Sequence, residues 1–494
     1  MSAVITTPPS TPPSTFTGRL DRFFEISARG STLAREVRGG LTTYFTMVYI
    51  VVLNPLIIGL VKDADGNYLG GGAAPNLPLV AAATALVAGV LSIAMGAIAN
   101  YPVAIATGLG LNAFLAFSVA NQVSWPEAMG LVVAEGVLIL ILVATGFRTA
   151  VFRAVPAQLR AAITVGIGLF IALIGLVDAG IVRPGAGTPL QLGIDGRLNG
   201  WPVTVFVVGL LLMAVLYARR VPGAILIGIV VATGLAVLVQ AVAGVGSSTD
   251  ASGKLVKPTG WQLNVPALSG SPVATPDFGL LGRVDVLGAY TRIGVLGALV
   301  IVFTLVLSDF FDTMGTVVGI GAEAGLLDEQ GNPPRTGRIL AVDGAAAVVG
   351  GLGSVSSNTA YVESAAGVGE GARTGLASVV TGVLFLLTTF LAPLARVVPY
   401  EAAAPALVLV GFLMLSQIRG VAWNDVAVGV PVFLTAVLMP FTYSITNGIG
   451  AGFVSYALLM AATGRARRVH PLLWVVVVFF VGYFLLAPIN RLIG

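Results

Sequence analysis

Long apolar runs separated by short polar connections dominate the chain, and their length predicts membrane-spanning helices. A helix crosses the hydrocarbon core of a bilayer with roughly 20 apolar residues. The long runs lie near residues 41–61, 79–99, 127–146, 159–178, 202–218, 222–244, 293–318, 374–395 and 472–489. Shorter or glycine-broken runs lie near residues 103–120, 338–352, 359–370, 403–416, 425–440 and 447–463. The pattern therefore predicts an all-α polytopic membrane protein.

Two short apolar segments, at comparable places in the two halves, are interrupted by glycine, proline and polar residues. They are ATGLGLNAFLAF (106–117) and GGLGSVSSNTAYVESAAGVGEGARTG (350–375). A broken helix leaves backbone N–H and C=O groups that lipid cannot satisfy but a bound polar solute can. Such a pair of breaks is typical of a transporter with a site at the membrane midplane. The alternative is that the glycines only allow close packing of helices.

Five carboxyl groups fall at membrane depth, where each costs at least about 2.5 to 3.5 kcal/mol on insertion scales. They belong to Glu135, Asp309, Asp312, Asp343 and Glu363. Asp309 and Asp312 are three residues apart and share one helix face, which suits a proton-coupled site because close carboxyls favour each other's protonated form. We interpret Asp312 and Glu363 as functional groups, and Glu135 and Asp343 as acceptors of structural hydrogen bonds between helices.

Composition excludes most other classes of protein. Only 10% of the 494 residues are charged, against about 25% in soluble proteins. The formal net charge of +4 gives no reason to expect a nucleic-acid partner. The chain has no cysteine and a single histidine, His470, so we expect no metal site of thiolates or several histidines. It also lacks H-E-x-x-H and G-x-S-x-G motifs, so we expect no enzyme and no cofactor other than a coupling proton.

Polar residues outside the apolar runs predict the topology. The first 18 residues are rich in Pro, Ser and Thr, which is typical of a disordered tail. Five arginines between residues 19 and 38 precede the first apolar run and predict a cytoplasmic N-terminus in a cell membrane. The polar connection 245–292 then lies outside. The run 472–489 is either a further span or a segment in the membrane interface.

Several long motifs resemble a known family. FFEISARGSTLAREVRGGLTTYFTMVYIVVLNPLIIG, TGLGLNAFLAF, DFFDTMGTVVGIGAEAGLLDEQGNPPRTGRILAVDGAA, NTAYVESAAGVGEGARTGLASVVTG, PALVLVGFLM and MPFTYSITNGIGAGFVSY are similar to the AzgA-like adenine/guanine/hypoxanthine permeases of the nucleobase-ascorbate transporter superfamily. The resemblance covers residues 19 to 489. It implies proton symport of purine bases by an elevator-like movement of a core domain against a gate domain. Preference for adenine or for guanine/hypoxanthine stays open.

The resemblance also implies the uracil-permease fold, with two inverted repeats of seven segments each and short extended stretches in the two broken segments. Its relatives imply a possible homodimer through the gate domain. The implied divisions are a tail 1–18, core 19–147, gate 148–244, extramembrane loop 245–292, core 293–397, gate 398–464 and a C-terminal hydrophobic segment 465–494.

The family pattern implies which residues form the site. We assign binding of the base to Glu363, Asp312, Asn112, Gly110 and Thr359, and proton coupling to Asp312 and Asp309. An ionised carboxylate can accept two adjacent N–H groups of a purine at once, as in guanine.

Two details of the family pattern refine this assignment. The uracil branch has a histidine one turn after its acid, where this chain has Thr316, so carboxylates must carry any proton. Gly108 and Gly110 are expected to keep the backbone unwound beside the base.

Two other classes of protein remain as alternatives. An anion transporter or channel would favour basic residues near the breaks, where only Arg373 qualifies. An intramembrane aspartyl protease would need two acids on different helices facing each other, whereas the Asp309 and Asp312 spacing puts them on one helix.

Overall fold

The computed structural model describes residues 16–145, 155–185, 187–250, 254–268, 270–329 and 332–493. Most of the predicted tail, residues 1–15, lies outside the described residues, and helix α1 begins inside the predicted tail. The elements of the first half are α1 (Phe16–Phe24), α2 (Leu33–Met47), α3 (Ile50–Ile58), α4 (Leu77–Ala94), β1 (Ile105–Thr107), α5 (Leu109–Phe114), α6 (Trp125–Ala144), α7 (Ala157–Asp178), β2 (Val182–Arg183), β3 (Gln191–Leu192), α8 (Trp201–Ala218) and α9 (Ala224–Ala243).

The second half repeats this order of long helices and one broken segment. Its elements are α10 (Gly288–Arg292), α11 (Gly294–Ala324), α12 (Thr336–Leu352), β4 (Asn358–Ala360), α13 (Ser364–Gly369), α14 (Gly375–Thr388), α15 (Tyr400–Leu415), α16 (Val426–Thr442), α17 (Ile445–Ala462) and α18 (Pro471–Ile493). A π-helical turn extends α4 through Met95–Ala99, and another extends α5 through Leu115–Val119. A 3₁₀ helix, Thr389–Arg396, follows α14.

Ten helical stretches in the described part of the chain are long and apolar enough to cross a membrane. The prediction of an all-α polytopic membrane protein is therefore confirmed. Local sequence explains where such helices begin. At the start of α6, Ser124 and Glu127 form a reciprocal capping box, and Pro126 occupies the first turn, where its missing N–H costs nothing.

Some boundaries differ from the apolar runs. The first span is Leu33–Ile58, so it begins eight residues before the predicted run 41–61. It consists of α2 and α3 with a break at Val48 and Tyr49. Helix α11 continues to Ala324 because its C-terminal turns are only moderately polar and end at Gly325 in the left-handed conformation. The short helix α10 lies within the predicted extramembrane loop 245–292.

Two sets of helices pack mainly among themselves. In the first set, α4 packs on α14 and α3, α6 packs on α12 and α11, α2 packs on α13 and α14, and α5 packs on α3. In the second set, α7 packs on α15 and α16, α8 packs on α9 and α15, and α16 packs on α17. The first set comes from the segments assigned to the core domain and the second from those assigned to the gate domain. That assignment itself stays a prediction.

Small residues allow the helices of each set to approach closely. A Cβ atom added at Gly96, at the end of α4, would lie 2.2 Å from the carbonyl oxygen of Gly375 at the start of α14. One added at Gly168 of α7 would lie 2.9 Å from the carbonyl oxygen of Gly411 of α15. Backbone contact of this kind is typical of helix packing in membranes, where small residues replace the hydrophobic driving force available in water.

The connection between α9 and α10 contacts both sets. Trp261 is fully buried and donates its indole N–H to Gln240 Oε1 over 2.8 Å, and the Gln262 N–H donates to Glu401 Oε1 over 2.8 Å. Further along, the N–H of Gly282 donates to the carbonyl of Leu352 at the end of α12. The connection is therefore attached to the second set by its first half and to the first set by its second half.

Glu36 of α2 provides a test of how a buried acid holds two helices together. Its carboxylate is fully buried and accepts the N–H groups of Arg373 at 2.8 Å and Thr374 at 3.3 Å, just before α14. Glu36→Gln places an amide N–H₂ toward these donors, so we expect a loss of about 1 to 3 kcal/mol in stability and a lower melting temperature. Glu370→Gln, which removes only an exposed ion pair with Arg38, is the matched control and should cost at most about 1 kcal/mol. Equal melting temperatures for the two variants would contradict this account.

Candidate functional site

The two broken segments meet inside the protein. Strands β1 and β4 pair in antiparallel register, with Ala106 opposite Thr359. Each strand runs into a short helix, α5 after β1 and α13 after β4. Because the strands are antiparallel, these helices leave from opposite ends of the pair. The pairing satisfies backbone groups that the two breaks would otherwise leave unpaired at membrane depth.

A small cavity lies beside this strand pair, between the two sets of helices. Its lining from the first set includes Gly108, Gly110, Ser308 and Asp312, and its lining from the second set is Ile163, Thr164, Ile167 and Met414. The volume open to the centre of a water molecule is about 20 Å³, which is room for about one water molecule. In this conformation the two sets of helices are therefore closed on each other around Asp312.

Glu363 is not among the residues that line the cavity and lies at the start of α13, in the position that precedes the first helical residue. Its Oε1 accepts a short hydrogen bond from the hydroxyl of Tyr49, and its carbonyl accepts from Thr46 Oγ1 at 3.4 Å. Tyr49 is fully buried at the junction of α2 and α3. The carboxyl groups of Glu363 and Asp312 interact electrostatically, and both side chains are partly accessible. Tyr49 thus fixes the direction of one of two neighbouring acids.

Asn112 is buried beside the strand pair and is not among the residues that line the cavity. Its Oδ1 accepts from Thr107 Oγ1 at 2.5 Å, while its Nδ2 has no hydrogen-bond partner among the described residues. The hydroxyl of Thr107 also lies 2.7 Å from the carbonyl oxygen of Val355. The amide therefore joins β1 to the helix that follows it and retains one unused donor.

Thr359 is not among the residues that line the cavity. Its Oγ1 lies 2.7 Å from Thr313 Oγ1, and Thr313 in turn donates to Asp343 Oδ1 over 2.6 Å. The methyl group of Thr359 packs near Gly108, because a Cβ atom added at Gly108 would lie 2.9 Å from it. The methyl group of Thr359 therefore packs behind Gly108, which lines the cavity.

Gly108 and Gly110 differ from the expectation that both keep the backbone unwound. Gly108 is extended and immediately precedes α5, but Gly110 is a helical residue of α5. A Cβ atom added at Gly110 would lie 2.4 Å from Ile167 Cγ2 of α7. The expectation is therefore wrong for Gly110, which lines the cavity and also allows the two sets of helices to touch.

The remaining acids occupy a separate buried region. Asp309 is fully buried, does not line the cavity, and interacts electrostatically with Glu135, Asp343 and Asp312. Glu135 accepts from Ser357 Oγ at 3.2 Å, and Asp343 accepts from Thr313 of α11, so each receives a hydrogen bond from another segment. Of the predicted pair, Asp312 faces the cavity and Asp309 faces the other acids.

Sequence reasoning did not single out Tyr49, Thr313 or Ser308. Tyr49 stands inside the motif TTYFTMVYIVV, and a phenol in the middle of a predicted span needs a hydrogen-bond partner. That signal indicates a polar contact without indicating Glu363, which is 314 positions away. Thr313 and Ser308 are on α11 beside the two aspartates, and only the neighbouring helices decide which of them faces a carboxyl group.

These features define a class of protein. A multi-pass helical membrane protein with two paired broken helices and buried acids beside a cavity between two helix sets has the architecture of a membrane transporter. The chain belongs to the Permease family, whose pattern it matches over residues 34–451. The predicted membership of the nucleobase-ascorbate transporter superfamily is thereby confirmed.

Relatives of known name cover almost the whole chain. The adenine permease AdeP of Escherichia coli (strain K12) is 38% identical over 467 residues, which is 94% of this chain and 95% of AdeP. The guanine/hypoxanthine permease PbuG of Bacillus subtilis (strain 168) is 38% identical over 470 residues, covering 94% of this chain and 99% of PbuG.

Solved structures agree on the fold. The transmembrane domain of the cyanobacterial bicarbonate transporter BicA has a TM-score of 0.54 at 14% identity, covering 85% of this chain and 97% of that domain. Murine Slc26a9, an anion transporter solved in an inward-facing state, has a TM-score of 0.60 at 12% identity, covering 92% of this chain and 73% of that one. The seven-plus-seven inverted-repeat fold expected from the sequence is confirmed.

The contact between Gly110 and Ile167 provides a test of the closed arrangement. Gly110→Ala brings a methyl group against Ile167 and should lower the melting temperature, and adding Ile167→Ala should cost less than the sum of the two single changes because the clash is removed. Gly315→Ala in α11, where an added Cβ meets nothing within 4 Å, is the control and should not destabilise. Strictly additive melting-temperature shifts would show that Gly110 and Ile167 are not in contact.

Proposed function

We propose that this protein imports purine nucleobases by proton symport, with the first set of helices moving as a core against the second set as a gate. The observation that carries the proposal is the position of Asp312 in the cavity between the sets, with Glu363 beside it and oriented by Tyr49. The names of AdeP and PbuG support purine bases as the substrate class. The resemblance of its motifs to the AzgA-like permeases implied the same function.

The chemistry of the two acids fits a purine base. Glu363 has a second carboxylate oxygen besides the one that Tyr49 occupies, and Asp312 adds another acceptor within the cavity. Purines carry adjacent N–H donors that a carboxylate can accept in charge-assisted hydrogen bonds. Asn112, with an unused amide donor, is adjacent to the break that borders the cavity and supports recognition of ring nitrogens after a small rearrangement.

The size of the cavity supports a movement of the two sets relative to each other. A purine base is several times larger than the single water molecule for which the closed cavity has room. Binding therefore requires the wall formed by Ile163, Ile167 and Met414 to separate from the wall formed by Gly108 and Asp312. Because these walls belong to different helix sets, separation of the sets is the opening motion that the site needs.

An anion substrate is disfavoured by the same lining. The structural neighbours include a bicarbonate transporter and an anion transporter, but at 14% and 12% identity they support the fold alone. The described residues that line the cavity include the carboxylate of Asp312 and no lysine or arginine. A carboxylate in the lining repels anions in a low-dielectric site.

Uptake into proteoliposomes tests the function. We expect accumulation of labelled hypoxanthine, guanine or adenine when the outside is more acidic than the inside, and competition among purines but none from bicarbonate or chloride. Asp312→Asn mimics the protonated acid, so exchange of base across the membrane should persist while uphill accumulation driven by the proton gradient disappears. Accumulation of bicarbonate instead, or full gradient-driven uptake by Asp312→Asn, would overturn the respective part of the proposal.

Glu363 is expected to dominate affinity for the base. Glu363→Gln presents an N–H₂ group toward the N–H donors of the ligand, and a buried mismatch costs about 1 to 3 kcal/mol, which corresponds to a loss of roughly 5- to 150-fold in affinity. Calorimetric titration of the three bases into purified protein measures this loss. Glu323→Gln, an exposed acid on α11, is the matched control and should bind as the wild type does. Unchanged affinity of Glu363→Gln for all three bases would remove Glu363 from the site.

A further inference from the structure

Helix α1 presents one phenylalanine and two arginines on an outward face. Phe23 is 59% exposed, and Arg19 and Arg22 are exposed as well. Arg19 lies three residues before Arg22 and four before Phe23, so the three side chains share one side of the helix. We call these three residues the α1 face. An apolar ring flanked by arginines is typical of a helix that lies in the interface of a membrane.

Another side of α1 is attached to the protein. Phe24 and Ile26 form a small buried cluster with Leu376 of α14, and Leu20 packs against this cluster. The ring of Phe23 meets the ring of Phe24 edge to face, with 4.8 Å between their centroids. The protein therefore holds α1 in a fixed orientation that turns the α1 face outward.

The position of α1 coincides with the ends of two spans. Asn100 follows the span Leu77–Ala99, and its Nδ2 donates to the carbonyl of Phe24 over 2.8 Å. Its Oδ1 accepts from the N–H of Gly375, the first residue of the span Gly375–Arg396, over 2.8 Å. One side chain thus joins α1 to the ends of two membrane-spanning helices. At that level the hydrocarbon core of a bilayer gives way to lipid headgroups.

The acids beside the α1 face are engaged elsewhere. Asp21 lies two residues before Phe23, off the α1 face, and accepts two hydrogen bonds from the turn that follows α1. Glu25 forms ion pairs with Arg29 at 2.8 Å and with Arg335 at 2.7 Å. Neither arginine of the α1 face forms an ion pair with another described residue. The α1 face therefore offers two positive charges to a negatively charged partner.

The chemistry of the α1 face selects a phospholipid among such partners. Guanidinium groups bind phosphate oxygens through paired, charge-assisted hydrogen bonds. A soluble anion would meet the two arginines but leave the ring of Phe23 in water. A phospholipid supplies both parts at once, because its phosphate lies at the headgroup level and its acyl chains begin directly below. An anionic headgroup adds a net attraction that a zwitterionic one lacks.

We infer that α1 is a membrane-interface helix that binds anionic phospholipid, with Arg19 and Arg22 on the phosphate groups and the ring of Phe23 at the start of the acyl chains. The inference goes beyond the proposed function, because purine transport does not require this contact. Bound lipid also attaches the first set of helices to the membrane surface, since Phe24 and Asn100 join α1 to that set.

The first test measures the melting temperature of the purified full-length protein in detergent with added phosphatidylglycerol or phosphatidylcholine. Phosphatidylglycerol should raise the melting temperature more. In the double variant Arg19→Gln/Arg22→Gln, the concentration needed for half of that rise should increase by roughly 5-fold for each arginine lost. Arg19→Lys/Arg22→Lys should keep most of the response. The matched control Arg467→Gln/Arg468→Gln, which removes two exposed arginines after α17, should respond as the wild type does.

The second test measures the depth of the α1 face in a bilayer. The chain has no cysteine, so Phe23→Cys provides a single attachment point for a nitroxide label. In proteoliposomes of phosphatidylcholine with phosphatidylglycerol, this label should collide more often with oxygen, which concentrates in hydrocarbon, than with a water-soluble nickel complex. A label on Lys254→Cys, at an exposed position of the connection between α9 and α10, is the control and should show the opposite order.

Several results would overturn the inference. Equal stabilisation by the two lipids, or an unchanged response in Arg19→Gln/Arg22→Gln, would show that α1 does not bind anionic lipid. An equal loss in Arg467→Gln/Arg468→Gln would assign the effect to surface charge in general. Inorganic phosphate that stabilises as phosphatidylglycerol does would identify a soluble anion as the ligand.

The label at position 23 adds two contrary outcomes. Preferential collision with the nickel complex would place the α1 face in water, and protection from both reagents would show that protein covers it. Neither test measures purine uptake, so a failure of this inference is distinct from a failure of the proposed function.

Discussion

Every backbone polar group at membrane depth must find its partner inside the protein, and the rest of this structure depends on how two broken helices meet that constraint. Neither break can satisfy its own extended residues, because a single strand has no partner. Pairing β1 with β4 satisfies both at once, with Ala106 opposite Thr359. The two halves of the chain therefore depend on each other at the centre of the molecule, where α5 and α13 begin.

The same constraint governs the acids around the strand pair. A carboxyl group at this depth needs donors from its own surroundings, and Tyr49, Thr313 and Ser357 provide them from segments distant in sequence. The region is thus divided into Asp312, which lines the cavity and has Glu363 near it, and the buried group of Glu135, Asp309 and Asp343.

Packing of small residues decides how close the helices come and how much space remains. Within each set, glycines allow backbone contact, and Gly110 extends this to the boundary between the sets, where it faces Ile167. The remaining cavity has room for about one water molecule.

The sequence by itself determined the spans, the two breaks and the identity of the acids. Length, apolarity and glycine or proline content are local properties of the chain, and they decide whether a segment can cross the bilayer as one helix. The contacts were decided only by the tertiary structure. Periodicity shows that Asp309 and Asp312 share a helix face, but not that one faces the cavity and the other faces Glu135 and Asp343. Periodicity also cannot show that Tyr49 contacts Glu363, or that Gly110 is helical and faces Ile167. Those outcomes depend on which helix lies opposite, and that is set by the packing of the whole chain.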